Sequence, residues 1–193
     1  MMMRESEFEI LDALRKPVCV VCELCQASAR NYLRGIMADG VNDATVRGEW
    51  RRRGGLCSRH WRSWRGLESP ALSSAIVAQD LLASYLASGV PRRPRCRACE
   101  IQKESEKRYL AALQTLPWPK LEEGFRERGF LCLLHLEALP EGPLREAFRL
   151  RLEGILSELA AFIRKHDYRF SSERRGLEGD SWLRAIRSLG GEV

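Results

Sequence analysis

Lys16-Pro17-Val18-Cys19-Val20-Val21-Cys22-Glu23-Leu24 returns 77 residues later, Cys19 over Cys96, as Arg93-Pro94-Arg95-Cys96-Arg97-Ala98-Cys99-Glu100-Ile101. Tyr32-Leu33 falls over Tyr109-Leu110 in the same register. With a shift of 75, Gly54-Gly55-Leu56-Cys57-Ser58-Arg59-His60 falls over Gly129-Phe130-Leu131-Cys132-Leu133-Leu134-His135, so the copies differ by one two-residue length change. A match of this length marks an internal duplication over roughly 16–90 and 93–142.

Each copy reads Cys-x-x-Cys, about thirty residues, then Cys-x-x-His. Thiolate sulfur and neutral imidazole are the ligands of tetrahedral zinc, and an i, i+3 pair in a first helical turn points both side chains to one side. Redox pairs or an iron–sulfur centre explain the Cys-x-x-Cys but not the His that follows the third Cys each time. In the first copy, good helix formers from Cys22 to about Asp39 carry the chain about 27 Å outward. Asp39-Gly40-Val41-Asn42 turns it, with Asn42 or Asp43 as the N-cap. A return helix through Trp50 to Arg53 gives about 16 Å, and an extended Gly54-Gly55-Leu56 about 10 Å more. In the second copy Pro117-Trp118-Pro119 makes the turn and Gly129 ends the return helix.

The expectation is two helical hairpins, each closed on itself. Cys19, Cys22, Cys57 and His60 would hold one structural zinc ion, and Cys96, Cys99, Cys132 and His135 a second. Binding of this kind is worth on the order of 10–16 kcal/mol, enough to fix short hairpins that are marginal alone. Cys25, the odd thiol, lies in register with Gln102 and is read as a buried Cys without a ligand role.

Between the copies, Ser69-Pro70 has the form of an N-cap and first helical Pro, opening a helix to about Ser88. Leu72, Ala75, Ile76, Leu82, Ala83 and Leu86 line one face, and Val77, Leu81 and Tyr85 widen it, so a central position is expected. After Pro143 the longest helix runs to about Lys165, with Leu144, Phe148, Leu152, Ile155, Leu156, Leu159 and Ile163 as a core stripe opposite Arg145, Arg149, Glu153 and Glu158. No alternating strand pattern of useful length occurs. The expected class is all-α: two tandem zinc-closed helical hairpin repeats packed with a long C-terminal helix. The expected segments are 1–92 (first repeat and connecting helix), 93–142 (second repeat) and 143–193 (long helix and polar tail), forming one compact unit.

The 193 residues are 45 % hydrophobic, which excludes a disordered tail or a low-complexity fibre. No uncharged stretch approaches the roughly twenty residues of a membrane span, and Glu9 and Asp12 interrupt the N-terminal apolar patch, unlike a secretion signal. A cytoplasmic protein without membrane insertion is expected, and in that compartment seven cysteines read as ligands rather than disulfides.

Lys plus Arg exceed Asp plus Glu by 32 to 26, a net +6. That whole excess sits in segment 44–66, where seven arginines accompany a single acid, Glu49. Trp50, Trp61 and Trp64 lie among them. A basic aromatic patch suits phosphate backbones and exposed bases, so Arg51, Arg52, Arg53, Arg59 and Arg62 are candidate contacts to a nucleic acid or other polyanion. The competing reading packs the tryptophans inward and leaves the arginines solvated. A second polar cluster follows the long helix: His166, Asp167, Tyr168, Arg169, Glu173, Glu178, Asp180, Ser181 and Trp182. It is a candidate ligand or partner site, and an enzyme reading would place chemistry there. Helix capping by Asp180 or Ser181, and by His166 and Arg169 at a C-terminus, is the structural alternative.

The duplicated Pro-x-Cys-x-x-Cys and Gly-x-x-Cys-x-x-His motifs, together with Lys165-His166-Asp167-Tyr168-Arg169-Phe170 and Glu178-Gly179-Asp180-Ser181-Trp182, resemble a bacterial family of unknown function with this order of motifs. The similarity spans nearly the whole chain. It implies a bacterial cytoplasmic protein with these characteristic positions, and no assigned reaction. The functional expectation is a zinc-stabilised adaptor or regulatory protein with an unidentified protein partner, because a zinc ion saturated by four protein ligands has no open position for catalysis.

Overall fold

The computed structural model describes residues 5–68, 71–89, 95–170, 172–174 and 176–190. Its described residues form an all-α fold of ten α-helices joined by short 3-10 turns, and none of these helices is long and apolar enough to cross a membrane. The chain divides into two compact units, Met1–Leu24 with Arg108–Val193, and Cys25–Lys107. Each unit draws on sequence from both 16–90 and 93–142. The division falls within two helices, Val20–Ala38 and Arg97–Thr115.

In the unit Cys25–Lys107, α2 (Val20–Ala38) runs out as its composition dictates, ending before the 3-10 turn Gly40–Asn42. Asp43 caps α3 (Ala44–Arg53), its carboxylate accepting from Thr45 N–H at 2.7 Å and Val46 N–H at 3.4 Å. This unit also holds α4 (Ser58–Arg65), α5 (Ala71–Ser88) and the start of α6 (Arg97–Thr115). Its centre is aromatic: Trp50, Trp61 and Trp64 meet edge-on with ring centroids 5.6–6.2 Å apart. Each buried indole N–H is satisfied, Trp50 donating to the Tyr32 hydroxyl at 3.0 Å and Trp64 to Ser74 Oγ at 2.8 Å. Leu33, Val41, Leu56 and Val77 complete this core.

The central position expected of α5 is overturned. Only Val77 is buried there, while Leu72, Leu82 and Leu86 are 62–82 % exposed, because α5 lies against α3 and the Gly40–Asn42 turn along one narrow face. The expected Ser69-Pro70 cap lies outside the described residues.

In the other unit, α1 (Glu5–Ala13), α7 (Trp118–Glu127), α8 (Leu133–Glu137), α9 (Pro143–Lys165) and α10 (Ser181–Ser188) surround a second core. Phe148 of α9 meets Phe125 and Phe130 edge-on at 5.0 and 6.2 Å. Leu14 packs so tightly over Gly124 and Gly129 that a Cβ on Gly129 would stand 2.5 Å from Leu14 Cδ2. The α9 stripe is narrower than its periodicity promised: Phe148 and Ile155 are buried, but Leu156 and Ile163 are exposed.

Candidate metal centres

Four short segments bring the ligands to helix N-termini. Cys57 and Cys132 are the N-cap residues of α4 and α8, with His60 and His135 one turn on. Cys19 and Cys96 stand just before α2 and α6, with Cys22 and Cys99 in the first turns. Helix N-termini favour thiolate through their free N–H groups and the helix dipole. At Cys57 burial works against ionisation, yet the backbone N–H of His60, then the Cys99 and Cys96 thiols and the Arg59 N–H, bring the thiol below its usual range. Burial, reinforced by the Arg59 guanidinium, pushes the His60 imidazole down toward the neutral form a metal requires.

All eight residues gather into two quartets, each with its donor atoms within 4.8 Å of one another. In the unit Met1–Leu24 with Arg108–Val193, His135 Nδ1 lies 3.2 Å from Cys132 Sγ, 3.3 Å from Cys19 Sγ and 3.5 Å from Cys22 Sγ. In the other unit, His60 Nδ1 lies 3.2 Å from Cys57 Sγ, 3.3 Å from Cys96 Sγ and 3.4 Å from Cys99 Sγ. Sulfur pairs stand 3.9 Å apart at Cys22–Cys132 and 3.7 Å at Cys57–Cys99, and none of the seven cysteines forms a disulfide. A tetrahedral ion with bonds of about 2.3 Å to sulfur and about 2.0 Å to nitrogen sets two sulfurs about 3.8 Å apart, and sulfur and nitrogen about 3.5 Å apart. The residues therefore fit such an ion. Cys25 is buried and belongs to neither quartet.

The pairing corrects the sequence-based expectation. Cys19 and Cys22 do not share a quartet with Cys57 and His60; their partners are Cys132 and His135, while Cys57 and His60 join Cys96 and Cys99. The reason is local. Closing the first hairpin on itself needs Gly54-Gly55-Leu56 extended, but Gly54 and Gly55 both adopt φ 77°, and Gly54 ends α3 in a left-handed cap. That tight turn forgoes the extra reach, and Arg53 instead accepts a hydrogen bond from Arg95 N–H at 2.9 Å, beside Cys96. In the other unit Val20 N–H donates to Phe130 carbonyl at 2.9 Å, laying the Cys19 segment beside the Cys132 segment. The first Cys-x-x-Cys thus joins the second Cys-x-x-His, and the second Cys-x-x-Cys the first Cys-x-x-His.

The C-terminal polar run resolves into local pairs. His166 is the C-cap of α9, its Nδ1 2.7 Å from the Phe162 carbonyl. Arg169 clasps Asp167, two residues away, and Arg164 clasps Glu173. Glu178 is buried and accepts from Lys165 Nζ and Gly176 N–H, both at 2.8 Å. Chiefly through Lys165, its carboxyl is held down at about 2. Tyr168 is exposed and Trp182 is 45 % exposed. Neither Asp180 nor Ser181 caps α10 through its side chain, contrary to expectation: Asp180 bonds Arg184, and Ser181 Oγ is buried without a partner among the described residues.

The basic segment is likewise divided. Trp50 and Trp64 are core, which removes them as a stacking surface. Arg51 is held by Asp80, and Arg53 by Glu49 and Glu100, whereas Arg52, Arg59 and Arg62 are exposed, with Arg59 donating to Gln102 at 3.2 Å. Sequence reasoning missed Arg151, whose guanidinium donates to the Phe125 and Gly129 carbonyls. Its place between Phe148 and Ile155, three and four residues along the buried stripe, was the available signal.

Comparison with known proteins adds little chemistry. The chain is 28 % identical over 182 residues to an uncharacterized 23.9 kDa protein in the xynA 3′ region of Caldicellulosiruptor sp. strain Rt8B.4, covering 83 % of this chain and 88 % of that one. No family model and no solved structure matches.

Proposed function

We propose that this is a zinc-stabilised adaptor or regulatory protein of the bacterial cytoplasm, whose two ions are structural and whose working surface is the helical frame they hold together. The observation that carries this reading is the agreement of both quartets, in donor type and separation, with a tetrahedral Cys₃His site. Four protein ligands leave no position for water or substrate, so each ion acts as a cross-link rather than a Lewis acid. Each cross-link joins a segment of one copy to a segment of the other, which suits a duplicated chain with two modest cores.

A nucleic-acid interface on segment 44–66 has less support, since two of its tryptophans are buried and two of its arginines already hold carboxylates. A catalytic role for the C-terminal run is weakened by the local ion pairs that its charged groups make. Elemental analysis of protein purified without added metal tests the proposal. Two equivalents of zinc per chain and no iron are expected; a redox-active iron content, or no bound metal in folded protein, overturns it.

A further inference from the structure

Four arginines, Arg128, Arg151, Arg184 and Arg187, line a cavity of about 270 Å³ in the unit that holds the Cys19–His135 quartet. The one acid in its wall, Asp180, is already bonded to Arg184 at 2.9 Å, and Arg184 also holds Glu158. Among the described residues no carboxylate lies within ion-pair distance of Arg128, Arg151 or Arg187. Arg151 is set in place by donating to Gly129 carbonyl at 2.8 Å and Phe125 carbonyl at 3.2 Å, bonds that orient it but leave its charge uncompensated. Burial, and after it the neighbouring Arg184, pushes the Arg151 guanidinium below its usual range.

Four cations around a concavity with a single acid in its wall are the complement of an anion. Guanidinium groups present paired N–H donors in the fork that matches phosphate oxygens. This space is more than one inorganic ion fills. Pro17, Phe130 and Ile155 supply an apolar wall for a carbon skeleton. We propose that this cavity binds a small organic phosphate monoester, gripped by Arg128, Arg151 and Arg187. Because Phe130 and Pro17 adjoin the segments carrying Cys132 and Cys19, the test includes metal content as a readout.

The experiment is calorimetric titration of the full, metal-loaded chain in chloride buffer with glycerol 2-phosphate, inorganic phosphate, succinate, neutral glycerol and a single-stranded oligonucleotide. Saturable 1:1 binding of glycerol 2-phosphate, tighter than inorganic phosphate or succinate, is expected. Arg128→Gln and Arg187→Gln, whose side chains hold no carboxylate among the described residues, should each weaken it about tenfold or more, as loss of a charged hydrogen bond implies. Helicity and zinc content should stay unchanged in both variants. No saturation by glycerol 2-phosphate, affinity indifferent to both substitutions, tighter binding of succinate, or binding of the oligonucleotide alone through these arginines would each overturn the proposal.

Discussion

Glu178 shows how much of the C-terminal run is structural. Its carboxyl, ordinarily near 4.5, is held at about 2 by Lys165 and by the Gly176 N–H. A depressed carboxylate contributes stability that is fully present above its unfolded value and is lost as pH falls through the folded one. Glu178→Gln should therefore lower the urea midpoint at pH 7, and its gap from the unaltered protein should close between about pH 4.5 and pH 2. A gap that persists at pH 2 would mean that the residue acts by packing alone. The charged residues of this run were legible in the sequence, but their partners were not. Arg164 and Lys165 look like ordinary solvated ends of a helix until the chain folds back and brings Glu173 and Glu178 to them.

The helices were legible to different degrees. Both α2 and α9 end where composition and capping place them, because a Gly turn or a Pro start is written locally. α5 was misjudged because small and apolar residues surround it on most sides, and periodicity identifies an apolar face without saying what covers it. The packing of Leu14, just after α1, against Gly124 of α7 and Gly129 was invisible, since it depends on two glycines giving that side chain room. Gly129→Ala, whose Cβ would meet Leu14 Cδ2 at 2.5 Å and the Gly124 carbonyl at 2.8 Å, should destabilise the fold by about 1–3 kcal/mol. Gly154→Ala, in mid-α9 with nothing within 4 Å, should instead add up to about 1 kcal/mol through helix propensity. Chemical denaturation of the two variants checks both signs.

At the scale of the molecule, the sequence announced eight ligands and two ions but not how they divide. The two Cys-x-x-Cys motifs are interchangeable in chemistry, as are the two Cys-x-x-His motifs, so only chain path distinguishes a closed hairpin from an exchanged one. That path turned on a few ångströms at Gly54-Gly55, where the left-handed turn forecloses the extended link. The exchange gives the two sites unequal spans: the quartet of Cys19, Cys22, Cys132 and His135 closes a loop of more than a hundred residues, with Cys22 and Cys132 110 apart, whereas Cys57 and Cys99 of the other quartet are 42 apart. Metal stoichiometry of paired variants is the direct measurement. Cys22→Ser with Cys132→Ser should leave one zinc per chain, because both residues serve one ion, while Cys22→Ser with Cys57→Ser should abolish both. The reverse result, two ions lost in the first variant and one in the second, would mean that each copy closes on itself and would contradict the exchanged architecture.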